Sequence, residues 1–346
     1  MSPVLRRILS PNGRAVAFIA VALAVVGTVA AYVLGDAARY HSLHTAAPVV
    51  ASVPEGRIAD GPRIVFRHTG VDSKYGVVAM VALDDPGGPR AFTDLACDRI
   101  DATSTGASCL QTKRGVVTRY DLLELDRHWK VTDKIALPGL PSRTRLSPDG
   151  SLVATTTFVA GHSYMQTGFS TSTEIRHVDG RSYGDLEKFH LLIDGHDSQP
   201  ADRNIWGVTF VDDRTFYATV ATGGRTYLVR GDLPSRTLRT LRTNAECPSV
   251  SPDGTRVAYK VRAPGSGLPH WSIAVLDLVT NHEQVLRRET ASVDDQVEWL
   301  DDDTLLYGLA REHEPGVTDV WRIDARANAR PHLLIEQAWS PAVVRR

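Results

Sequence analysis

The first residue in this 346-residue chain that could act as a nucleophile is Ser163. It lies in Gly161-His162-Ser163-Tyr164-Met165, which is similar to the turn that presents the catalytic serine of α/β-hydrolases. The second glycine of that motif is missing, and the chain lacks the strand–helix alternation of a hydrolase domain. The sequence therefore predicts no serine nucleophile, and no other catalytic residue is assigned.

Acidic runs and histidines are the residues that could bind a metal. Calcium loops alternate oxygen ligands at fixed offsets around a glycine, and none of the acidic runs does so. Aspartate favours tight turns, so we interpret these runs as turns. The histidines of the third repeat do not form a His-Glu-x-x-His motif, and no Cys-x-x-Cys motif is present. We expect no metal site and no cofactor. The acidic runs are Asp84-Asp85, Asp212-Asp213, Asp294-Asp295 and Asp301-Asp302-Asp303, and the histidines are His162, His177, His190 and His196.

The three cysteines suggest one disulfide and one free thiol. Cys97 and Cys109 lie on either side of a predicted hairpin turn, at the start of one strand and early in the next. Adjacent antiparallel strands bring cysteines within bonding distance, and an exported domain is in an oxidising compartment. The sequence predicts a Cys97–Cys109 bond, with two small buried hydrophobic residues as the alternative. Cys247 holds the corresponding position in the fifth repeat and is predicted to be a buried free thiol.

A repeat carries these residues, and two identical tetrapeptides show it best. Ser147-Pro148-Asp149-Gly150 and Ser251-Pro252-Asp253-Gly254 each precede a run rich in β-branched residues. Proline presets φ, aspartate bonds to its own backbone and glycine accepts positive φ, so the tetrapeptide predicts a tight turn before a strand. Degenerate copies bring the turns to six, roughly 40–64 residues apart, a spacing typical of four-stranded propeller blades. The six turns lie near residues 61, 106, 150, 214, 254 and 303.

The first repeat lacks its first strand, and the carboxyl terminus supplies a candidate for it. Ala338–Val344 has the pattern of a first strand running into a Ser-Pro turn, with no second strand after it. We expect this segment to complete the first blade, which would leave no open edge in the ring.

The Ser-Pro-Asp-Gly turns, each followed by a short apolar strand, resemble the TolB-like, or WD40-like PD40, β-propeller family. The resemblance covers roughly residues 57–346 and implies an all-β, six-bladed β-propeller. The amino-terminal domain of TolB itself is not recognisable here. Since this fold carries binding modules, accessory domains and enzymes, the resemblance implies no particular activity.

The amino terminus predicts a membrane anchor. Residues 15–34 are an uninterrupted apolar stretch, long enough to cross a bilayer as a helix. Arg6, Arg7 and Arg14 precede it, so the positive-inside rule places residues 1–14 in the cytoplasm and the propeller outside. A cleaved signal peptide is the alternative, although its apolar region is usually shorter. We predict an anchor at 15–34, a linker at 35–60 and the propeller at 61–346.

The long connections of the third repeat are the candidate binding surface. The segment between Phe158 and Thr173 carries Tyr164, Met165 and Phe169 among small polar residues, and a second excursion covers residues 184–199. Long loops on a rigid scaffold often bind partners, although a loop that only packs on a blade edge is the alternative.

Composition and motifs leave two functions. The 39 basic and 40 acidic residues provide no positive field for nucleic acid. The sequence favours a membrane-anchored extracytoplasmic module that binds a protein, peptide or glycan in the cell envelope, because no catalytic constellation is recognisable. The alternative is an extracytoplasmic hydrolase or lyase with its site at the central channel.

Overall fold

A computed structural model describes residues 11–159, 170–178, 180–263 and 269–345. The chain divides into two compact units. One contains residues 1–48 together with Val71–Ser73, and the other contains Val49–Gly70 and Lys74–Arg346. The first unit is essentially one helix, and the second is the propeller.

The helix α1 spans Pro11–Thr45, 35 residues. Within it, Ala15–Asp36 has a mean hydropathy of 2.5, and its 22 residues are long and apolar enough to cross a membrane. A signal sequence near the amino terminus has the same length and composition. The helix continues past Leu34, where the sequence analysis began a linker, because no proline follows before Pro48 and alanines favour the helical backbone.

Six β-sheets form the second unit, one for each predicted repeat, so the fold is the predicted six-bladed β-propeller. In each blade the strands are antiparallel and numbered outward from the channel. Blade one contains β27 (Ala338–Val344), β2 (Arg63–His68), β3 (Val77–Ala82), β4 (Arg90–Ala96) and, parallel to β4, β1 (Ser52–Val53). Blade two contains β5 (Arg99–Ala102), β6 (Gly106–Lys113), β7 (Arg119–Asp126) and β8 (Val131–Ala136). Blade three contains β9 (Leu140–Leu146), β10 (Leu152–Val159), β11 (Ser170–His177) and β12 (Ser182–Asp185).

The other three blades follow the same order. Blade four contains β15 (Asn204–Phe210), β16 (Thr215–Thr222), β17 (Arg225–Asp232) and β18 (Thr237–Thr243). Blade five contains β19 (Glu246–Val250), β20 (Arg256–Arg262), β21 (Trp271–Asp277) and β22 (Glu283–Val285). Blade six contains β23 (Glu298–Trp299), β24 (Thr304–Ala310), β25 (Thr318–Asp324) and β26 (His332–Ile335). Short 3-10 helices occur at Glu55–Arg57 and Leu186–Lys188.

The Ser-Pro-Asp-Gly turns form as their residue types require. The Ser147 hydroxyl donates to Asp149 Oδ1 at 2.5 Å and accepts the Leu152 N–H at 2.9 Å. Gly150 takes a φ of +75°. In blade five the Ser251 hydroxyl donates to Asp253 Oδ1 at 2.6 Å and accepts the Arg256 N–H at 3.0 Å. Each turn therefore fixes the angle between the innermost strand and the next strand, which sets the wall of the channel.

The carboxyl-terminal strand closes the ring, as the sequence predicted. β27 pairs antiparallel with β2, from Arg63 opposite Val344 to His68 opposite Ala338. Arg90 on β4 donates to the carbonyls of Glu336 and Gln337, just before β27 begins. Blade one therefore joins the two ends of the propeller sequence in a single sheet, and no edge is left open between blades six and one.

Six hydrophobic clusters fill the interfaces between neighbouring blades, including the interface between blades six and one. Along β2, Ile64 and Phe66 pack toward blade six while Val65 packs toward blade two. Successive strand residues point to opposite faces, so a strand between two blades is apolar on both. This burial explains why the second strands appear in the sequence as nearly continuous apolar runs.

The second excursion of the third repeat belongs to blade four. β13 (His190–Ile193) pairs parallel with β18 at the outer edge of that blade, and β14 (His196–Ser198) pairs with β13. Leu191 is fully buried in the interface cluster of blades three and four. These residues therefore cover a blade edge and anchor it.

The disulfide is present, but its position within the blade differs from the prediction. Cys97 lies just before β5 instead of at its start, and Cys109 on β6 pairs with Ile100. The bond joins Cys97 to Cys109 with a Cα–Cα distance of 5.6 Å. Because Cys97 directly follows β4, the bond links the connection between blades one and two to the second strand of blade two.

Candidate functional site

A cavity of about 430 Å³ lies at the end of the central channel where the tight turns emerge. Pockets that hold small ligands have volumes from about 300 Å³ upward, so a ligand or a short segment of a partner fits this space. The cavity is built where the innermost strands end, and each of the six blades contributes. The contributing residues, one from each blade in ring order, are Val344, Ala102, Ser147, Phe210, Ser251 and Trp299.

Three charged side chains in the wall of this cavity form one ion-pair network. Arg145 of blade three pairs with Glu298 of blade six and lies 3.6 Å from Asp101 Oδ1 of blade two. Asp101 Oδ2 also accepts the Leu146 N–H at 2.6 Å. The side chains of Arg145, Asp101 and Glu298 are only 14%, 9% and 13% exposed. The network therefore connects three blades across the channel in surroundings where charge interactions are strong.

The pKa of the Asp101 carboxyl is raised to about 6. Burial is the main cause, Arg145 opposes it, and the carboxylate of Glu298 adds to it. Burial also lowers the pKa of Arg145, but Glu298 and Asp101 outweigh that effect, so the Arg145 pKa is raised and the guanidinium stays charged. A carboxyl group that titrates near neutral pH beside a second carboxylate can hold or release a proton during a reaction.

Two backbone contacts fix the wall opposite this network. The Trp299 indole N–H donates to the Ser249 carbonyl at 2.8 Å, and the Gln296 amide donates to the Pro248 carbonyl at 2.8 Å. Arg345 donates to the carbonyls of Trp299 and Leu300. The charged side chains therefore stand on strands that are held in place by neighbouring blades, which is how a preorganised site is built.

The structure contains no metal centre within its described residues, where no group of three or more histidine, cysteine or acidic side chains lies together. His177 contacts Tyr183 at the outer part of blade three, with 3.2 Å between Nε2 and the hydroxyl oxygen. His190 and His196 lie on the outermost strands of blade four. His162 and Ser163 lie outside the described residues, as do the predicted binding residues Tyr164, Met165 and Phe169.

Two of the acidic runs are turns, as predicted, and one is not. Asp212 and Asp301 accept backbone N–H groups within their own turns, at 2.6–2.8 Å and 2.9 Å. The prediction for Asp294-Asp295 is wrong. Asp294 pairs with Lys260 at 2.5 Å, and the buried Asp295 pairs with Arg143 at 3.3 Å. Opposite charges on neighbouring blades recruit both carboxylates, so this run serves the ring and not a local turn.

Sequence reasoning missed Asp101, Arg145 and Glu298. A signal was present, because Arg99 and Asp101 alternate on β5 and Arg143 and Arg145 alternate on β9. Charged residues at alternate positions of an innermost strand share one face. In a propeller that face borders the channel, so this alternation is the pattern that identifies channel residues. Cys247 is buried and free, as predicted, and its N–H donates to Thr219 Oγ1 at 2.8 Å.

No protein-family model matches this sequence, and no curated protein does. Among solved structures, TolB from Acinetobacter baumannii is similar with a TM-score of 0.57 and 14% identity, over 82% of this chain and 66% of TolB. A puromycin-hydrolysing peptidase from Mycobacterium tuberculosis has a TM-score of 0.49 and 14% identity, over 79% of this chain and 43% of the peptidase. An oligogalacturonate lyase in complex with manganese has a TM-score of 0.46 and 13% identity, over 72% of each chain.

This chain thus spans less than two thirds of the length of TolB and less than half of the peptidase. At these identities, structural similarity reports on the architecture of the chain and not on its chemistry. The blade count, the four-stranded sheets and the similarity to TolB agree with one another. The chain has the fold of a TolB-like six-bladed β-propeller.

Proposed function

We propose that this protein is a membrane-anchored binding module of the cell envelope, and that its propeller, outside the cytoplasm, holds a segment of a protein, peptide or glycan in the channel cavity. The observation that carries the proposal is the cavity itself. Turns from six blades surround about 430 Å³, and a buried ion-pair network lies in the wall. Concave sites with a few fixed polar groups are where proteins bind ligands.

Two further features support the location. The apolar segment Ala15–Asp36 has the length of a membrane span, and three arginines precede it. The Cys97–Cys109 disulfide is typical of a domain in an oxidising compartment. Both agree with a propeller on the extracytoplasmic side.

The innermost strands also suit an extended ligand. Each is the last strand of its sheet, so β5, β9 and their counterparts pair on one side only. Their other edges carry backbone N–H and C=O groups toward the channel. An extended segment can use such groups, as peptides do when they add to a sheet edge.

The test uses a substitution that fills the cavity without touching its supports. Ser104 is exposed and lines the cavity, so Ser104→Arg narrows the entrance. His313→Arg is the matched control, because His313 is 93% exposed on the loop between β24 and β25. Full-length protein is crosslinked in intact cells, and captured envelope proteins and glycans are quantified. We expect Ser104→Arg to lose a ligand that the wild type and His313→Arg retain.

The loop between β10 and β11 remains a second candidate surface for the same function. Its Tyr164, Met165 and Phe169 are aromatic and flexible apolar side chains among small polar residues, a composition suited to protein contacts. A Tyr164→Ala/Phe169→Ala variant is assayed beside Ser104→Arg. Loss of the ligand in the loop variant alone would place the binding surface on the loop and contradict the cavity proposal.

One observation favours a second function, an extracytoplasmic hydrolase or lyase. The Asp101 carboxyl, with its pKa raised to about 6, lies in the same network as Glu298 at a cavity. Such a pair can supply a general acid and a general base. Purified protein is incubated with peptide and oligosaccharide mixtures, and bond cleavage is followed by NMR. Cleavage that Asp101→Asn and Glu298→Gln both abolish, and that His313→Arg retains, would establish the enzyme.

A further inference from the structure

Two guanidinium groups converge on one carbonyl oxygen, one level deeper in the channel than the cavity network. Arg99 Nε donates to the Ser142 carbonyl at 2.8 Å, and Arg143 Nη1 donates to the same oxygen at 2.9 Å. Arg99 precedes Asp101 by two residues on β5, and Arg143 precedes Arg145 by two residues on β9. The pair therefore lies closer to the start of the innermost strands than the cavity does. Two like charges placed this close repel each other.

The surroundings leave this level positively charged. Burial lowers the pKa of Arg99 to about 9, and the positive charges of Arg143 and Arg67 lower it further. Two carboxylates, Asp295 and Asp98, act in the opposite direction. Asp295 lies 3.3 Å from Arg143, and Asp98 Oδ2 accepts the Thr112 N–H at 2.7 Å. Three guanidinium groups against two carboxylates give an excess of one positive charge.

Several N–H groups at this level have no acceptor. Arg99 Nη1, Arg143 Nε and Arg67 Nε are buried and make no hydrogen bond. Buried donors in proteins are nearly always paired, so unpaired guanidinium N–H groups indicate an anion that these groups are placed to bind. The Arg143 side chain is 16% exposed, so the level is reached from solvent.

Aromatic rings hold two of the guanidinium groups in position. The Arg99 guanidinium carbon lies 5.1 Å from the centroid of the Trp339 ring, and that of Arg67 lies 4.9 Å from the Tyr75 ring. Stacking on an aromatic face orients the planar fork of arginine while its edge stays available to an acceptor. Trp339 is on the closing strand β27, so the ring closure itself builds this site.

We propose that Arg67, Arg99 and Arg143 form an anion site that binds a carboxylate of an acidic peptide in the channel. One excess positive charge matches a single carboxylate, whereas a phosphate dianion would leave an unbalanced negative charge. Arginine forks bind carboxylates through two parallel hydrogen bonds. The free edges of β5 and β9 provide backbone partners for an extended peptide on either side of that carboxylate. This inference rests on the proposed binding function and names the chemistry of its ligand.

The test uses full-length protein in nanodiscs and two probe peptides, penta-glutamate and penta-glutamine. The dissociation constant of each is measured for the wild type, for Arg99→Met and for Arg143→Met. Arg326→Met is the control, because Arg326 is 77% exposed and pairs with Asp324. We expect penta-glutamate to bind the wild type and Arg326→Met at least ten-fold more tightly than penta-glutamine does. Either channel variant should abolish that difference.

A second measurement avoids the risk that a variant fails to fold. In wild-type protein labelled with ¹⁵N-arginine, penta-glutamate should shift the Nε–H resonances of Arg99 and Arg143 and leave that of Arg326 unchanged. Equal affinity for the two peptides, or no shift at these arginines, would overturn the proposal. Tighter binding of inorganic phosphate would overturn the choice of a carboxylate, and tighter binding of tri-galacturonate would overturn the choice of a peptide.

The two proposals fail in different ways. If penta-glutamate does not bind while Ser104→Arg still loses a cellular ligand, the anion site is wrong and the channel module stands. If penta-glutamate binds at the arginines while Ser104→Arg retains every cellular ligand, the anion site stands and the proposed function is wrong.

Discussion

Arg145 and Glu298 form an ion pair across the central channel, although 153 residues separate them in the sequence. Arg145 is on the innermost strand of blade three, and Glu298 is on that of blade six. These blades face each other in a ring of six, so the pair joins opposite walls. Arg143 and Asp295 join the same two blades one level deeper. The channel is therefore bridged by charge at two levels, and its contents depend on how those charges are satisfied.

Replacing Arg145 should destabilise the propeller strongly. Arg145→Met leaves Asp101 and Glu298 as buried carboxylates without their cation, and removing one partner of a buried pair typically costs about 3–5 kcal/mol. Urea denaturation followed by tryptophan fluorescence measures the loss. Arg326→Met removes an exposed pair and should cost less than about 1 kcal/mol. Adding Asp101→Asn and Glu298→Gln to Arg145→Met should recover most of the stability, and a triple variant no more stable than the single one would contradict the network.

Stability should fall as the pH rises from about 4 to about 6, in part because of Asp101. Its pKa is about 6 in the folded protein, above the unfolded value of roughly 3.9. Between these values the folded state binds more protons than the unfolded state, so the free energy of unfolding decreases with pH and then levels off. Glu187, whose pKa burial raises to about 7, acts with the same sign. In a Glu187→Gln background, Asp101→Asn should flatten the remaining slope, and an unchanged slope would show that Asp101 titrates normally.

Removing the closing strand should break the ring. A chain ending at Gln337 lacks β27, so β2 loses its partner and the sheet of blade one gains an open edge. The cluster between blades six and one also loses Ala338 and Val343. We expect loss of the cooperative melting transition, or aggregation, in differential scanning calorimetry. Removing Arg345 and Arg346 alone is the control, and a truncation at Gln337 that melts like the full chain would contradict closure by β27.

Reducing the disulfide should weaken blade two without unfolding the ring. The bond closes a loop of sequence separation 12, and loops of about this length typically gain about 2–4 kcal/mol from a disulfide. Cys97→Ser/Cys109→Ser should lower the unfolding free energy by an amount of that order. Intact-mass measurement of native protein without reductant should find one bond and leave Cys247 as the free thiol. Three alkylated thiols in denatured, unreduced protein would show that the bond does not form in cells.

Protease added to intact cells should remove the propeller. The arginines before the apolar segment predict a cytoplasmic amino terminus, and the segment Ala15–Asp36 has the length of a span. An epitope at the carboxyl terminus should disappear on treatment, while one at the amino terminus stays with the membrane. A soluble exported product that begins near Ala31 or Ala38 would show that the segment is cleaved as a signal peptide.

The sequence by itself determined the local structure and the number of blades. Ser147 and Ser251 begin turns that need no distant partner, because proline, aspartate and glycine set the backbone within four residues. The runs around Val257 and Leu305 predicted strands because both faces of a blade strand are buried. Ala338–Val344 was recognisable as a first strand because the opening repeat lacked one.

Only the tertiary structure decided which residues meet in the channel. Arg145 and Glu298 carry no local sign of each other, since their pairing depends on the angle at which six blades close. The Asp294-Asp295 run was assigned to a turn because the amino-acid type favours turns, but charges on blades three and five recruit both residues. The parallel pairing of β13 with β18 was equally out of reach. Long-range contacts of this kind follow from ring geometry, which no short segment of the sequence encodes.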